Sequence, residues 1–247
     1  MPGNSNRDAS CSAVCVHGAG GGSWEWAIWA RVFAAHGHAV IAPDLQPSPR
    51  GVAATRYADY REQVVRWCRG VGAPVVLIGA SLGASLALAV AEEVGARALL
   101  LINPLVPRAT RGQPRAATIP WARQRSLAGT RRAMADADDA ACLHAFRRWR
   151  DESGAVLDEA EAISVIASPS CPTLVLAGEF DQDIPPAISR ALAIRLDADF
   201  ERIAEAGHLG PLLGRVAAAT AERALGWLGQ RGVVPSPASC DDPAGAV

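Results

Sequence analysis

The chain has 247 residues, half of them hydrophobic and 20% charged, so it is long enough to bury one sizeable core and too apolar to stay disordered. A formal net charge of −1 gives no electrostatic footprint for nucleic acid, and no run of about 20 uncharged apolar residues is present to cross a membrane. The polar residues at the start lack the charged end, apolar run and cleavage site of a secretory signal, which makes the cytoplasm the expected location.

Short apolar runs alternate with longer amphipathic ones, the pattern of a mostly parallel sheet covered by helices on both faces. After a flexible N-terminus at 1–12, a strand is predicted over 13–16, a helix over 24–35, a strand over 38–42 and a helix over 57–69. A fully apolar strand follows at 75–78, then a helix over 82–94 and a buried strand over 98–102. Residues 107–170 are charged and helical without an obvious strand, too long for a simple connection, and read as a helical lid over the carboxyl edge of the sheet. Strand character returns at 173–177, then a helix at 186–196, a strand at 199–203 and a closing helix at 211–229. The expected organisation is one α/β core from 13–106 and 171–230, with a disordered tail over 231–247 rich in Pro, Ser, Gly and Ala. Cys11, Cys15, Cys68, Cys142, Cys171 and Cys240 form no C-x-x-C pair and read as reduced thiols, with Cys15 a core residue.

Gly79-Ala80-Ser81-Leu82-Gly83 fits G-x-S-x-G and lies between a buried strand and a helix, where that motif holds a serine on a strained turn. A serine hydroxyl needs a base within hydrogen-bond reach and a third group to fix the base's tautomer. Of the five histidines, His208 alone follows the last predicted strand. The loop after the preceding strand offers Glu179, Asp181 and Asp183; Asp181 is best placed, Asp183 is the alternative, and Glu179 reads as a solvated loop residue. The loop His17-Gly18-Ala19-Gly20-Gly21-Gly22 lets backbone approach a bound carbonyl, so an N–H from Ala19, or else Gly20, is expected to join that of Leu82 in an oxyanion hole, with Gly18 and Gly20 against the substrate. The same glycines, with Asp44 after the second strand, leave a weak dinucleotide-binding alternative, but a phosphate-loop ending is missing. No metal or organic cofactor is implied.

Together these motifs resemble the α/β-hydrolase superfamily over nearly all of residues 11–229. Trp24-x-Trp26, Pro43-Asp44-Leu45, Asp181-Gln182-Asp183 and Gly207-His208 are similar to the plant methylesterase and hydroxynitrile lyase group and to bacterial carboxylesterases. The resemblance implies triad roles for Ser81, Asp181 and His208. Few residues precede the first strand, so a shortened sheet of about six strands is expected instead of one that opens with a hairpin. The lyases carry a threonine and a lysine where this chain has Gly18 and Leu209, which removes the expectation of lyase activity.

The expected activity is therefore that of a serine esterase working through an acyl-enzyme. A thioesterase or a hydrolase of carrier-bound esters is the alternative, and a non-catalytic small-molecule-binding protein of the same fold is a third reading. Trp121, Phe146 and Trp149 are candidates to line an apolar acyl pocket, although packing within the lid explains them equally well. The basic side chains of the sequence are all arginines, and residues 108–150 hold ten of them against three aspartates. Pairing at i,i+4 with the acids of 151–161 is the simpler account; an anion-recognising lid, for an acidic substrate or an acyl carrier protein, is the sharper one.

Overall fold

A computed structural model describes residues 11–71, 75–108, 112–163 and 168–235. Six strands form one sheet, β1 (Ser12–Val16), β2 (Ala39–Ile41), β3 (Val75–Ala80), β4 (Ala98–Ile102), β7 (Thr173–Gly178) and β8 (Asp199–Ile203), in the order β2-β1-β3-β4-β7-β8. Every pairing in it is parallel. Parallel pairing demands crossovers, and the helices that make them cover both faces, which is why the central strands are apolar without alternation.

Side-chain alternation along the strands divides the core in two. Ala13, Cys15, Val76, Ile78, Leu100 and Leu176 face α1 (Ala27–Ala35) and α9 (Ala217–Gln230). Val14, Val16, Leu77, Leu99, Leu101 and Val175 face α2 (Tyr57–Gly70), α3 (Leu82–Val90) and α7 (Pro186–Leu196). Each fully buried leucine or valine contributes about 2 kcal/mol by leaving water. The chain runs from β1 outward to β2 and then back across to β3, so the loops after β1 and β3 diverge at their carboxyl ends. Such a switch point opens a crevice where ligands bind in α/β sheets.

Several local expectations change. The predicted helix at 24–35 opens as a 3-10 turn, Ser23–Trp26, before α1. The closing helix is split into α8 (Gly210–Leu213) and α9 at Gly214, whose backbone is extended and where a Cβ would lie 1.8 Å from Oδ2 of Asp136. Between β4 and β7 lie α4 (Leu127–Ala133), α5 (Asp139–Phe146) and α6 (Gly154–Glu161), and also a two-stranded antiparallel ribbon of β5 (Thr118–Ile119) and β6 (Glu152–Ser153) where no strand was expected. Those two-residue strands are too short to leave an alternating pattern. Packing extends past both predicted core boundaries: Cys11 is buried ahead of β1, and Val233 and Val234 are buried against the α1/α9 side of the core, where residues 231–247 were expected to be disordered. The rest of that tail and residues 1–10 lie outside the described residues, as does Cys240. The five described cysteines are free thiols, four of them buried.

Candidate active site

Ser81 is the single residue between β3 and α3, and its backbone is left-handed, φ 53° and ψ −119°. A serine held there stores about 1–3 kcal/mol of strain, which persists only where the surroundings over-determine it. They do: its N–H donates to the Ile102 carbonyl at 2.9 Å, and its carbonyl accepts from the N–H groups of Ala84 and Leu105, each at 3.0 Å. The flanking glycines are required by contact. A Cβ on Gly79 would lie 2.3 Å from the Gly83 carbonyl oxygen, and one on Gly83 would lie 2.1 Å from that of Val16.

His208 follows the turn after β8, and its Nδ1 is 2.7 Å from Oδ2 of Asp181. The other oxygen of Asp181 accepts the N–H groups of Asp183 and Ile184, each at 2.9 Å, so this buried carboxylate is fixed before it meets the ring. Asp181 therefore holds the imidazole, while Asp183 is exposed and contributes only its field. Burial alone would lower the His208 pKa; the hydrogen bond and charge of Asp181, helped by Asp183 and Glu25, outweigh it and leave the value raised. Glu179 is not simply solvated: it accepts the Glu205 N–H at 3.1 Å and pairs with Arg202 at 3.2 Å.

Asn103 is a site residue that the sequence motifs did not single out. It is 1% exposed at the end of β4, with φ 44°. Its Nδ2 donates to the His208 carbonyl at 2.6 Å, and its Oδ1 accepts from Gly178 N–H at 2.7 Å. One side chain thus ties the ends of β4 and β7 to the histidine loop. A polar residue closing an otherwise apolar buried strand is the signal that could have found it.

The glycine loop after β1 has its amides divided. Gly18 N–H donates to Glu25 at 3.2 Å, Gly20 N–H to Glu152 at 3.0 Å and Gly21 N–H to the Gly18 carbonyl at 3.2 Å. Among the described residues the Ala19 and Leu82 N–H groups have no acceptor. Gly18 is pressed on the serine, since a Cβ there would be 3.2 Å from that of Ser81. His17 supports the loop from inside: Nδ1 donates to the Gly18 carbonyl at 2.8 Å and Nε2 accepts the Leu45 N–H at 2.9 Å. Burial takes its pKa down to about 4, so it is a neutral strut. Asp44 accepts the Ser23 N–H at 2.6 Å and faces Arg150 at 3.6 Å, so it is held by the chain itself, against the dinucleotide alternative. Burial pushes Glu25 up to about 7, against the Gly18 and Gly22 amides and the His208 and Arg150 charges. A charge inside the apolar run Trp24-Glu25-Trp26 was its sequence signal.

Ser81 and His208 line one cleft of about 460 Å³ together with Ala19, Leu105, Trp121 and Trp149. Phe146 does not line it; that ring lies 5.7 Å from the Arg125 guanidinium, which fits the packing alternative and not the cleft one. Trp149 donates to Thr130 at 2.9 Å and meets Trp24 edge-on at 5.6 Å, so it serves both packing and cleft wall. The arginine pairing uses the expected acids of 151–161 but not the expected spacing. Arg115 binds Asp158 and Glu161, Arg108 binds Glu161 and Arg123 binds Asp151, all across turns and not at i,i+4. Arg125 and Arg132, which line the cleft, form no ion pair among the described residues. Asp181, Asp183 and His208 bring ligand atoms within 4.8 Å of one another, but Nδ1 of the histidine and both Asp181 oxygens are already committed.

A scan against family profiles matches residues 13–223 to the description "Alpha/beta hydrolase family". The chain belongs to the alpha/beta hydrolase family. Solved structures of similar fold agree. Polyneuridine aldehyde esterase is 18% identical with a TM-score of 0.68, covering 87% of this chain and 99% of its own. A thermophilic esterase from Thermogutta terrifontis, with malate bound, is 21% identical with a TM-score of 0.65, covering 90% of each chain. Tomato methylketone synthase I, complexed with 2-tridecanone, is 13% identical with a TM-score of 0.72, covering 90% and 99%. A search of curated protein sequences returned no match. At these identities the likeness establishes the hydrolase fold, and the chemistry must be argued from the site. Among the described residues, no helix is long and apolar enough to cross a membrane.

Proposed function

We propose that this protein is a serine hydrolase that cleaves a carboxylic ester through an acyl-enzyme. The observation that carries the reading is the partly buried His208 held 2.7 Å from the buried Asp181, opening on the same cleft as a serine held in the left-handed region. Ser81 Oγ attacks the ester carbonyl while Nε2 of His208 takes its proton, and Asp181 stabilises the imidazolium that forms. Negative charge developing on the carbonyl oxygen is received by the unengaged N–H groups of Ala19 and Leu82, the latter at the first turn of α3. Loss of one such donor typically raises the barrier by about 3 kcal/mol. The imidazolium returns its proton to the leaving alcohol; water, deprotonated by the same histidine, then releases the acid and restores the serine.

Trp121, Trp149 and Leu105 support an apolar acyl group in the cleft. Arg125 and Arg132 at the same cleft favour a second reading, an acyl substrate bearing a negative charge, including a thioester or ester presented on an acyl carrier protein. Arg125→Gln with Arg132→Gln, compared on a neutral and an acidic acyl ester, tests it, and equal effects on both refute it. The free thiols support a reducing, cytoplasmic setting. Incubation with a fluorophosphonate, followed by peptide mass mapping, tests the main reading. An adduct on Ser81 is expected. Binding of small esters without adduct or turnover would make the chain a binding protein instead.

A further inference from the structure

We propose that Glu152, carried on β6 outside the catalytic core, is a positioning residue for the oxyanion hole, and that Glu25 does the same from the core side. The inference rests on the serine-hydrolase reading above. An oxyanion hole works only if its donors are aimed before charge develops, and misplacement by about 1 Å can cost about a hundredfold in rate. The loop that supplies Ala19 is glycine-rich and has little intrinsic stiffness, so its geometry must be imposed from outside.

Two buried carboxylates impose it. Glu25, 1% exposed, takes the N–H of Gly18, and Glu152, 2% exposed, takes the N–H of Gly20. These are the amides on either side of Ala19, so both neighbouring peptides are turned away from the cleft and the Ala19 N–H alone of the three is left unengaged. Glu152 is itself held rigidly, with Oε1 accepting from the Tyr60 hydroxyl at 3.0 Å and from Ser153 N–H at 2.8 Å. Arg150 N–H donates to the Gly20 carbonyl at 2.8 Å, which fixes the next peptide, so Gly20 is held on both sides of its Cα. Trp121 closes the arrangement: Gly20 has φ +66°, and a Cβ there would lie 2.4 Å from the indole ring. The segment between β4 and β7 therefore does more than roof the cleft. It completes the electrostatic machinery, and the hole reaches full strength only with β6 docked on the loop.

Wild type, Glu152→Ala and Glu152→Gln are compared by titrating reactive serines with a fluorophosphonate and measuring ester turnover per titrated serine. In parallel, the Ki of an aryl trifluoromethyl ketone, whose serine adduct carries an oxyanion, is measured. For Glu152→Ala, turnover per titrated serine is expected to fall about tenfold to a hundredfold, KM to stay within about threefold, and Ki to rise with the turnover loss. Glu152→Gln keeps an acceptor oxygen and is expected to recover most of it. A variant that loses titratable serines while kcat per serine and Ki stay unchanged overturns the proposal, because that is the signature of a purely structural role. If Glu152→Ala does not fold, Tyr60→Phe removes one donor to the same carboxylate without opening a cavity; a lower kcat per serine supports the proposal and an unchanged one refutes it. A wild type with no titratable serine instead removes the hydrolase reading itself.

Discussion

Glu25→Gln separates the charge of a buried carboxylate from its shape. The carboxyl lies under the Gly18 N–H, with a pKa raised to about 7 from an ordinary 4.5, first because burial disfavours its charged form. A group whose folded pKa is raised gives stability below its unfolded pKa and loses it as pH climbs through the folded value. At about 1.36 kcal/mol for each pH unit, the folded protein is penalised by about 3 kcal/mol above pH 7 relative to pH 4.5. Glutamine keeps the acceptor oxygen and cannot ionise. Urea denaturation followed by tryptophan fluorescence is thus expected to show the variant equal to wild type near pH 4.5 and up to about 3 kcal/mol more stable at pH 8. His17 titrates with the opposite sign: its pKa of about 4 makes its protonation destabilising as pH falls from 6.5, so both proteins lose stability in acid. A stability gap between variant and wild type that does not change from pH 4.5 to pH 8 would refute the assignment of a charged, desolvated Glu25.

Asp181→Asn is expected to lower kcat by about 10⁴, because the amide cannot hold the Nδ1–H tautomer. It should also move the acid limb of the kcat/KM profile to lower pH, since Asp181 raises the His208 pKa; a limb that stays in place argues against this pairing. Asn103→Ala leaves a buried N–H and a buried carbonyl unpaired, at about 1–3 kcal/mol for each. A fall in the urea midpoint is expected together with a fall in kcat, because the same side chain places the His208 backbone. Lost stability with kcat unchanged would confine Asn103 to the scaffold.

Local chemistry made much of this protein legible. Strands buried on both faces must be apolar throughout, so β3, β4 and β7 stand out in the sequence, and crossover helices must follow them. Gly79 and Gly83 announce Ser81 because no side chain fits where their backbones touch neighbouring strands and loops. The family topology puts the acid and then the histidine after later strands, which narrowed each to a single loop. The sequence favoured Asp181 and kept Asp183 as the alternative, because two residues of loop register decide which carboxylate collects the turn amides and meets the ring. The pocket reading of Phe146 and the i,i+4 spacing of the arginine pairs failed for a related reason: composition tells how many aromatic and charged groups a segment holds, not which way its turns point them. The contact of Glu152 with the glycine loop was equally hidden. Glu152 meets Gly20 across 132 residues and Asn103 meets His208 across 105, and contacts that distant exist only once the sheet has brought the strand ends together.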